Sequence, residues 1–519
     1  MLDRRDLLKF ATAGGAAFLI PLEGSAPYAA PRLTAGTGAL TDVAVPEDTF
    51  TSPSPARAFA APDELGDLAK AAPFAHAMPV LGAMKPAASH SGRSPRSGRT
   101  VMTDVYSMRQ HKARVEIVKG LKSTVFTYAG CFPGPMIKAN RGHEVVLEHH
   151  NELDNPTCTH LHGGRVPSKY DGLPMDVVGK DGHYTYRYPN KQRAASLWYH
   201  DHSHGTEAEN VYMGLYGVYL LSDEEERRLP LPKGQYDLPL VIRDARIEAD
   251  GKLRFARPID CPHMLVNGKE RPYFKVAARK YRLRLYNVSI NRNVKLRFAD
   301  GAEFVQIATD CGLLEGPVVR DEIELVGAER AEIIVDFSRY RVGSSIVLEN
   351  TAALKERPEI MRFDIVREAK DRSRIPDRLT EFPSLPKPSR EREFIMTSDP
   401  TFLINGKSYD PKRVDVETTL GSHELWRIKN IDSPGHHKPG YFIHHSFHTH
   451  LAQFRVIHRN ESPVGPGESG WKDTVSVPPG ESVCIAVSWS GYAGQYVYHC
   501  HHLGHSSAGQ MGRVDVKPR

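Results

Sequence analysis

The sequence predicts an all-β chain of three related β-sandwich domains, preceded by an export leader and a low-complexity arm. Three observations carry this prediction. From about residue 100 onward, short strand-like runs alternate with Gly/Pro turns, the pattern of β-sandwiches. An alternating strand closing on Asn recurs three times, as Glu144-Val-Val-Leu-Glu-His-His-Asn151, Tyr281-Arg-Leu-Arg-Leu-Tyr-Asn287 and Glu424-Leu-Trp-Arg-Ile-Lys-Asn430; internal self-similarity of this kind marks repeated domains. A later strand recurs as well. It ends in histidines in the first and last copies (Leu197-Trp-Tyr-His200-Asp201-His202 and Val497-Tyr-His499-Cys500-His501), whereas the middle copy, Ile346-Val-Leu-Glu-Asn350, carries none.

In chain order, residues 1–30 read as the leader. Asp3-Arg4-Arg5-Asp6-Leu7-Leu8-Lys9 precedes a weakly apolar Phe10 to Leu22, too short for a permanent membrane span. The paired arginines resemble a twin-arginine export signal. That implies a protein exported folded to the periplasm, the cell wall or the medium, with no stable membrane insertion once the leader is removed. Residues 31–99, rich in Ala, Pro, Gly and Ser, read as a mostly irregular arm. The three sandwiches follow at 100–232, 233–385 and 386–519, since 519 residues exceed one ordinary core. Charge is nearly balanced, 68 basic against 62 acidic residues, and the dispersed excess of +6 gives no reason to expect a nucleic-acid partner. Six cysteines without a Cys-x-x-Cys indicate neither a zinc ribbon nor a disulfide framework. Cys261 with Cys311 is one candidate disulfide; buried free thiols are the alternative.

Histidine is the anomaly, at 25 residues, many of them in His-x-His pairs. The first domain has His160-Leu-His162, followed by Gly163, and His200-Asp-His202; the third has His448-Thr-His450 and His499-Cys-His501. One such pair on a strand is usually a surface feature. Four at matched repeat positions converge if the first and third domains pack together. Eight imidazoles exceed one tetrahedral zinc and suit about three metals. Only the third domain adds His445, Cys500 and His505; the first has Thr157 and Asp201 at the positions of His445 and Cys500. On a strand, His499 and His501 face one way and Cys500 the other. A thiolate with imidazoles and a weak axial partner makes a blue-copper electron-transfer site, and this chain has one. The remaining histidines, among them His149, His150, His204, His436 and His437, read as surface or supporting residues.

The motifs His-x-His-Gly, His-x-His, His-x-x-His-x-His and His-Cys-His-x-x-x-His, in this order, resemble those of the multicopper oxidases. The flanking residues, with Leu265-Val-Asn-Gly-Lys269 and Gly312-Leu-Leu314, look most like the branch of bacterial spore-coat laccases, bilirubin oxidases and phenoxazinone synthases. The likeness spans roughly residues 100 to 519. It implies cupredoxin-like Greek-key domains and four coppers per chain. His445, Cys500 and His505 resemble the ligands of the type 1 copper, and His160 and His448 the type 2 pair. His162, His200, His202, His450, His499 and His501 resemble the ligands of the two type 3 coppers. Asp171 sits where related enzymes have an acid that helps move protons to oxygen; a plain turn former before Gly172 is the alternative.

The implied reaction couples one-electron oxidation of phenolic or aromatic-amine donors, taken up at the edge of His445 and passed through Cys500, to four-electron reduction of O2 to water. Its partners are a small-molecule electron donor and O2. A bilirubin-type or metal-ion oxidase is the alternative, and a non-enzymatic copper-binding relative a weaker one. The 12 methionines are scattered, which argues against a cuprous-ion patch. The loop from Ile431 to Ile443 is expected to supply donor contacts. Three positions depart from the family pattern: Ser446 replaces a common Pro, His502 an apolar residue, and Ser506 a carboxylate found in many relatives. The axial type 1 position falls on Gln510, with Met511 one step further as the alternative.

Overall fold

A computed structural model of the protein describes residues 59–93, 98, 100–352, 357–433 and 444–519. The expected leader and the first half of the arm lie outside these residues. The described chain is all-β, with six sheets that face each other in three pairs.

In the first pair, a sheet built on Thr100–Glu116 and Glu144–Asn151 covers one ordered Gly134–Asn140, Tyr216–Ser222, Ala195–His200, His160–His162. Met108 and Leu147 from one sheet meet Leu197 and Tyr219 from the other. In the second pair, Leu240 and Leu283 meet Phe298 and Phe363. In the third, Trp426 and Ile485 meet Phe447 and Tyr498, beside Cys500. Each sandwich is thus a two-layer core of alternating inward residues.

The repeated Asn has a structural reason. In every sandwich the strand it closes runs parallel to the sandwich's early long strand: Glu144–Asn151 beside Thr100–Glu116, Lys280–Asn287 beside Asp237–Ala245, and His423–Asn430 beside Arg390–Thr397. The side-chain oxygens of Asn151, Asn287 and Asn430 accept the backbone N–H two residues on, from Leu153, Ser289 and Asp432, at 2.9, 3.0 and 3.0 Å. Their amide nitrogens donate to distant carbonyls, Val178, Leu325 and Val477, each at 2.9 Å. One short polar side chain therefore ends the strand and ties down a crossing loop.

The described half of the arm has little regular structure, yet it is bound: Ala69 N–H donates to Ile247 O at 2.8 Å, Met78 N–H to Tyr273 O at 2.7 Å and Met84 N–H to Met136 O at 2.8 Å. Ala69 and Met78 are buried, and Ala88–Arg93 adds an edge strand to Thr100–Glu116. Isolated backbone bridges of this kind leave no hydrophobic period in a sequence. The Cys261–Cys311 disulfide does not form, and all six cysteines are free. Cys261 lies 3.5 Å from the Tyr212 hydroxyl, and Cys311 donates to Asp473 Oδ2 at 3.2 Å. Among the described residues no helix is long and apolar enough to cross a membrane.

Candidate metal centre

Strand register places the ligands. Gly494–Cys500 is flanked by His445–Thr449, with Phe447 opposite Cys500 and His448 opposite His499, and by Met511–Lys517, with Met511 opposite His499. Side chains directly opposite on paired strands share a face, so His448, His499 and Met511 lie on one side of the sheet. Cys500 lies on the other, with Gln510, whose carbonyl accepts the Cys500 N–H at 3.0 Å. The first sandwich repeats the device: His160 stands opposite His200, and His162 opposite Trp198.

All eleven His and Cys residues proposed from spacing come together, buried, in four groups, the first two sharing His162: His160, His162 and His448; His162, His200 and His501; His202, His450 and His499; and His445, Cys500 and His505. The first three groups mix ligands from the first and third sandwiches. The fourth belongs to the third sandwich alone.

Hydrogen bonds fix the ring tautomers. The Nδ1–H groups of His160, His448, His200 and His499 donate to the carbonyls of Asp171, Asp473, Asp201 and Cys500 at 2.6, 2.7, 2.8 and 2.9 Å. His450 Nδ1 meets Asp171 Oδ2 at 2.6 Å, and His202 Nδ1 meets Glu207 Oε2 at 2.8 Å. His162 is reversed: its Nε2 faces Asp473 Oδ1 at 3.0 Å. A carbonyl can only accept, so the ring nitrogen facing it carries the proton and the opposite nitrogen is a bare lone pair. These lone pairs point inward. His202 Nε2 lies 3.1 Å from both His450 Nε2 and His499 Nε2, and His200 Nε2 lies 3.4 Å from His162 Nδ1 and 3.3 Å from His501 Nε2. His160 Nε2 and His448 Nε2 are buried with no hydrogen-bond partner.

Clustered, buried lone pairs without protons between them are unfavourable unless a cation stands among them. Four-coordinate nitrogens at ~2.0–2.1 Å from an ion sit about 3.3 Å apart, which matches these spacings. Burial, then the neighbouring imidazoles His202 and His448 respectively, hold His160 and His162 well below the usual imidazole range. The rings are therefore neutral, the form that binds metal. The residues fit copper ions.

At the mononuclear group, Cys500 Sγ lies 3.7 Å from His445 Nδ1 and 3.6 Å from His505 Nδ1. Burial pushes the Cys500 thiol up to about 12, so the thiolate forms only as a metal displaces its proton. His445 is fully buried and its Nε2 is held by Asp432 Oδ2 at 3.1 Å. Asp432 in turn accepts from Ser398 N–H and Thr397 Oγ1, both at 2.9 Å. His505 keeps 8 % exposure and stacks on Phe402. Gln510 is buried; its Nε2 donates to Thr397 O at 2.9 Å, and its Oε1 has no hydrogen-bond partner. Met511 packs instead with Leu173 and Val497. His502 Nε2 meets Asn293 Oδ1 at 3.3 Å and Ser446 Oγ donates to Gly327 O at 2.7 Å, so the middle sandwich holds two of the three unusual positions.

Two glycines permit the close approach. Gly163 has φ +78°, and a Cβ there would stand 2.4 Å from Asp473 Oδ2; Gly172 has φ +70°, with Thr159 O at 2.3 Å. Either position refuses a side chain. Asp171 therefore serves the turn with its backbone while its carboxyl reaches His450, and burial raises that carboxyl well above the usual range. His149, expected at the surface or in support, is buried between Thr157 Oγ1 and Thr159 Oγ1 at 3.1 and 2.9 Å. Residues 434–443 of the expected donor loop, with His436 and His437, lie outside the described residues. Sequence spacing missed Asp432, Asp473, Arg330 and Glu207, which hold the ligands from outside.

The family description "Multicopper oxidase" matches residues 110–226 and again 383–519. The chain is 33% identical to a laccase of Bacillus subtilis, over 85% of this chain and 98% of the relative. It is 33% identical to a bilirubin oxidase of Albifimbria verrucaria, over 75% of this chain and 72% of the relative. The crystal structure of a laccase from Pediococcus acidilactici superposes with a TM-score of 0.77 at 30% identity, covering 87% of this chain and 96% of that one.

Proposed function

The chain belongs to the multicopper oxidase family and is a copper-dependent oxidase that uses O2, and we propose that it oxidises phenolic or aromatic-amine donors one electron at a time and holds four coppers. The observation that carries this reading is Cys500. Its sulfur sits among His445 and His505 on one face of the strand, while its peptide neighbours His499 and His501 join the histidine cluster on the other. Bound copper supplies one-electron uptake at a single ion and four-electron delivery to O2 at a three-ion cluster.

The chain's own residues do the rest. His445, Cys500 and His505 would hold the type 1 ion, with Gln510 Oε1, which has no hydrogen-bond partner, as a further weak donor. His160 and His448 would hold the type 2 ion, and His162, His200, His202, His450, His499 and His501 the type 3 pair. Donor contact at the His505 edge, in place of the His445 edge, is supported by the 8 % exposure of His505 and by Asp432, which covers the outer nitrogen of the fully buried His445. Asp171 is the candidate acid beside the cluster, acting through His450. The divisions near residues 232 and 385 fall between Tyr216–Ser222 and Asp237–Ala245, and between Glu359–Glu368 and Arg390–Thr397. Export by the twin-arginine route rests on Arg4 and Arg5.

The test is copper analysis of purified protein followed by oxygen consumption with phenolic, bilirubin-type and metal-ion donors. About four coppers per chain and fastest turnover with electron-rich phenols or ortho-aminophenols are expected. Turnover confined to metal ions would replace the donor class.

Two further results are expected. Gln510 shares the Cys500 face and Met511 the His499 face, so Gln510→Met raises the type 1 potential, because a thioether favours Cu(I) more than an amide oxygen does. Met511→Leu leaves the potential unchanged. A redox titration showing the reverse removes Gln510 from the site. Asp171→Asn keeps an acceptor for His450 but no acid, and slows reoxidation by O2 about 100-fold or more while leaving anaerobic type 1 reduction intact. Equal slowing of both half-reactions would leave Asp171 as a turn residue only.

A further inference from the structure

The outer nitrogens of the six type 3 ligands are not held alike. In the group His162, His200 and His501, the supports are Asp473, itself paired with Arg330, and the Asp201 carbonyl, while His501 Nδ1 is buried with no partner. In the group His202, His450 and His499, two buried carboxylates from the first sandwich stand behind the rings, Asp171 at His450 and Glu207 at His202. Glu207 opens the helix Glu207–Met213 and is fully buried. Its Oε2 lies 2.8 Å from His202 Nδ1, an ion-pair distance, and neither atom has a hydrogen-bond partner elsewhere to draw it away. Its Oε1 accepts from Ser507 Oγ at 3.5 Å, and Ser507 Oγ also takes the Ala208 N–H at 3.3 Å. Next to it, Ser506 Oγ lies 3.3 Å from His499 Nδ1.

From this geometry we infer that Glu207 is a positioning residue for the His202, His450 and His499 copper, spanning the interface between the first and third sandwiches. It rests on the assignment of these three histidines as ligands of one type 3 ion. Glu207 acts by accepting the His202 Nδ1–H, which turns the Nε2 lone pair toward His450 and His499. The small hydroxyls of Ser506 and Ser507, on the helix Leu503–Ser507 that also carries His505, leave room for this carboxylate to enter from the facing domain. The same segment thus bears a type 1 ligand and steadies a type 3 support. Removing an outer partner of this kind lowers metal affinity about 10–100-fold.

The experiment compares wild type, Glu207→Gln and Glu207→Ala after dialysis against a graded chelator series, reading copper per chain, the blue band and the type 3 near-ultraviolet band. Glu207→Ala is expected to lose about one copper and the type 3 band at 10–100-fold weaker chelation, with the blue band retained. Glu207→Gln, which keeps an acceptor in the same space, is expected to hold copper within a few-fold of wild type. Thermal unfolding of the metal-free proteins separates misfolding from lost affinity. If Glu207→Ala folds poorly, Glu207→Leu, of similar volume but without an acceptor, takes its place. Wild-type copper retention in a folded variant without an acceptor overturns the role of Glu207. A wild type without a type 3 band would instead overturn the ligand assignment on which it rests.

Discussion

Cys500→Ser is expected to give a colourless, folded protein that no longer oxidises donors. The sulfur is fully buried between His445 Nδ1 and His505 Nδ1, and no other cysteine is grouped with those imidazoles among the described residues. A serine hydroxyl can hydrogen-bond to either ring, so the strand Gly494–Cys500 keeps its place between its two neighbours. What it cannot supply is a thiolate, and without one the mononuclear ion binds weakly and carries no blue colour. The ligands on the opposite face are untouched, so copper should fall from about four to about three per chain. Donor oxidation should fall by about three orders of magnitude or more, equivalent to ~4 kcal/mol or more in the barrier. Steady-state turnover at wild-type rates in the serine variant would refute electron uptake at this site.

The centre was legible in the sequence where strand geometry forces residues at i and i+2 together. His499 and His501, or His160 and His162, announce a shared face by their spacing alone, and the matched repeats announce that two domains contribute. Counting from His505 reaches Gln510, which lies on the Cys500 face, because the turn before the next strand is short and its register follows. The outer supports carry no such signal. Asp432 serves His445 from 13 residues away, and Asp473 serves His162 from 311 residues away, so each contact exists only once the sandwiches have packed. Glu207 is near His202 in sequence, yet it sits in a helix whose role depends on Ser507 of another domain. The attachment of the arm was silent for a related reason: Met78 and Ala69 bond through isolated backbone bridges to the middle sandwich, and such contacts have no period. The middle domain carries no histidine pair, so its spacing announces no part in the centre, and there the structure adds most.

Arg330→Met is expected to weaken the whole centre although Arg330 touches no ligand. It starts the middle-sandwich strand Arg330–Asp336 and reaches into the junction of all three sandwiches, fully buried. Its Nε donates to Ser196 O at 3.0 Å, and its two terminal nitrogens donate to Asp473 Oδ1 and Oδ2 at 2.7 and 2.6 Å. Burial alone would raise the Asp473 carboxyl, but the Arg330 guanidinium overrides it and holds that group far below the usual range. Asp473 then serves both ligand sets. Its side chain faces His162 Nε2 and its carbonyl accepts from His448 Nδ1. Removing the arginine strands a buried carboxylate, which costs about 3–5 kcal/mol. It also frees the His162 support, lowering copper affinity at the cluster about 10–100-fold. Denaturation of the metal-free protein measures the first effect, and chelator titration the second. The double variant Arg330→Met with Asp473→Asn removes the stranded charge, so stability should partly recover while copper affinity should not. If Arg330→Met alone stays within about 1 kcal/mol of wild type, the bidentate pair is not what joins the three sandwiches, and the cluster must draw its rigidity from the strand register instead.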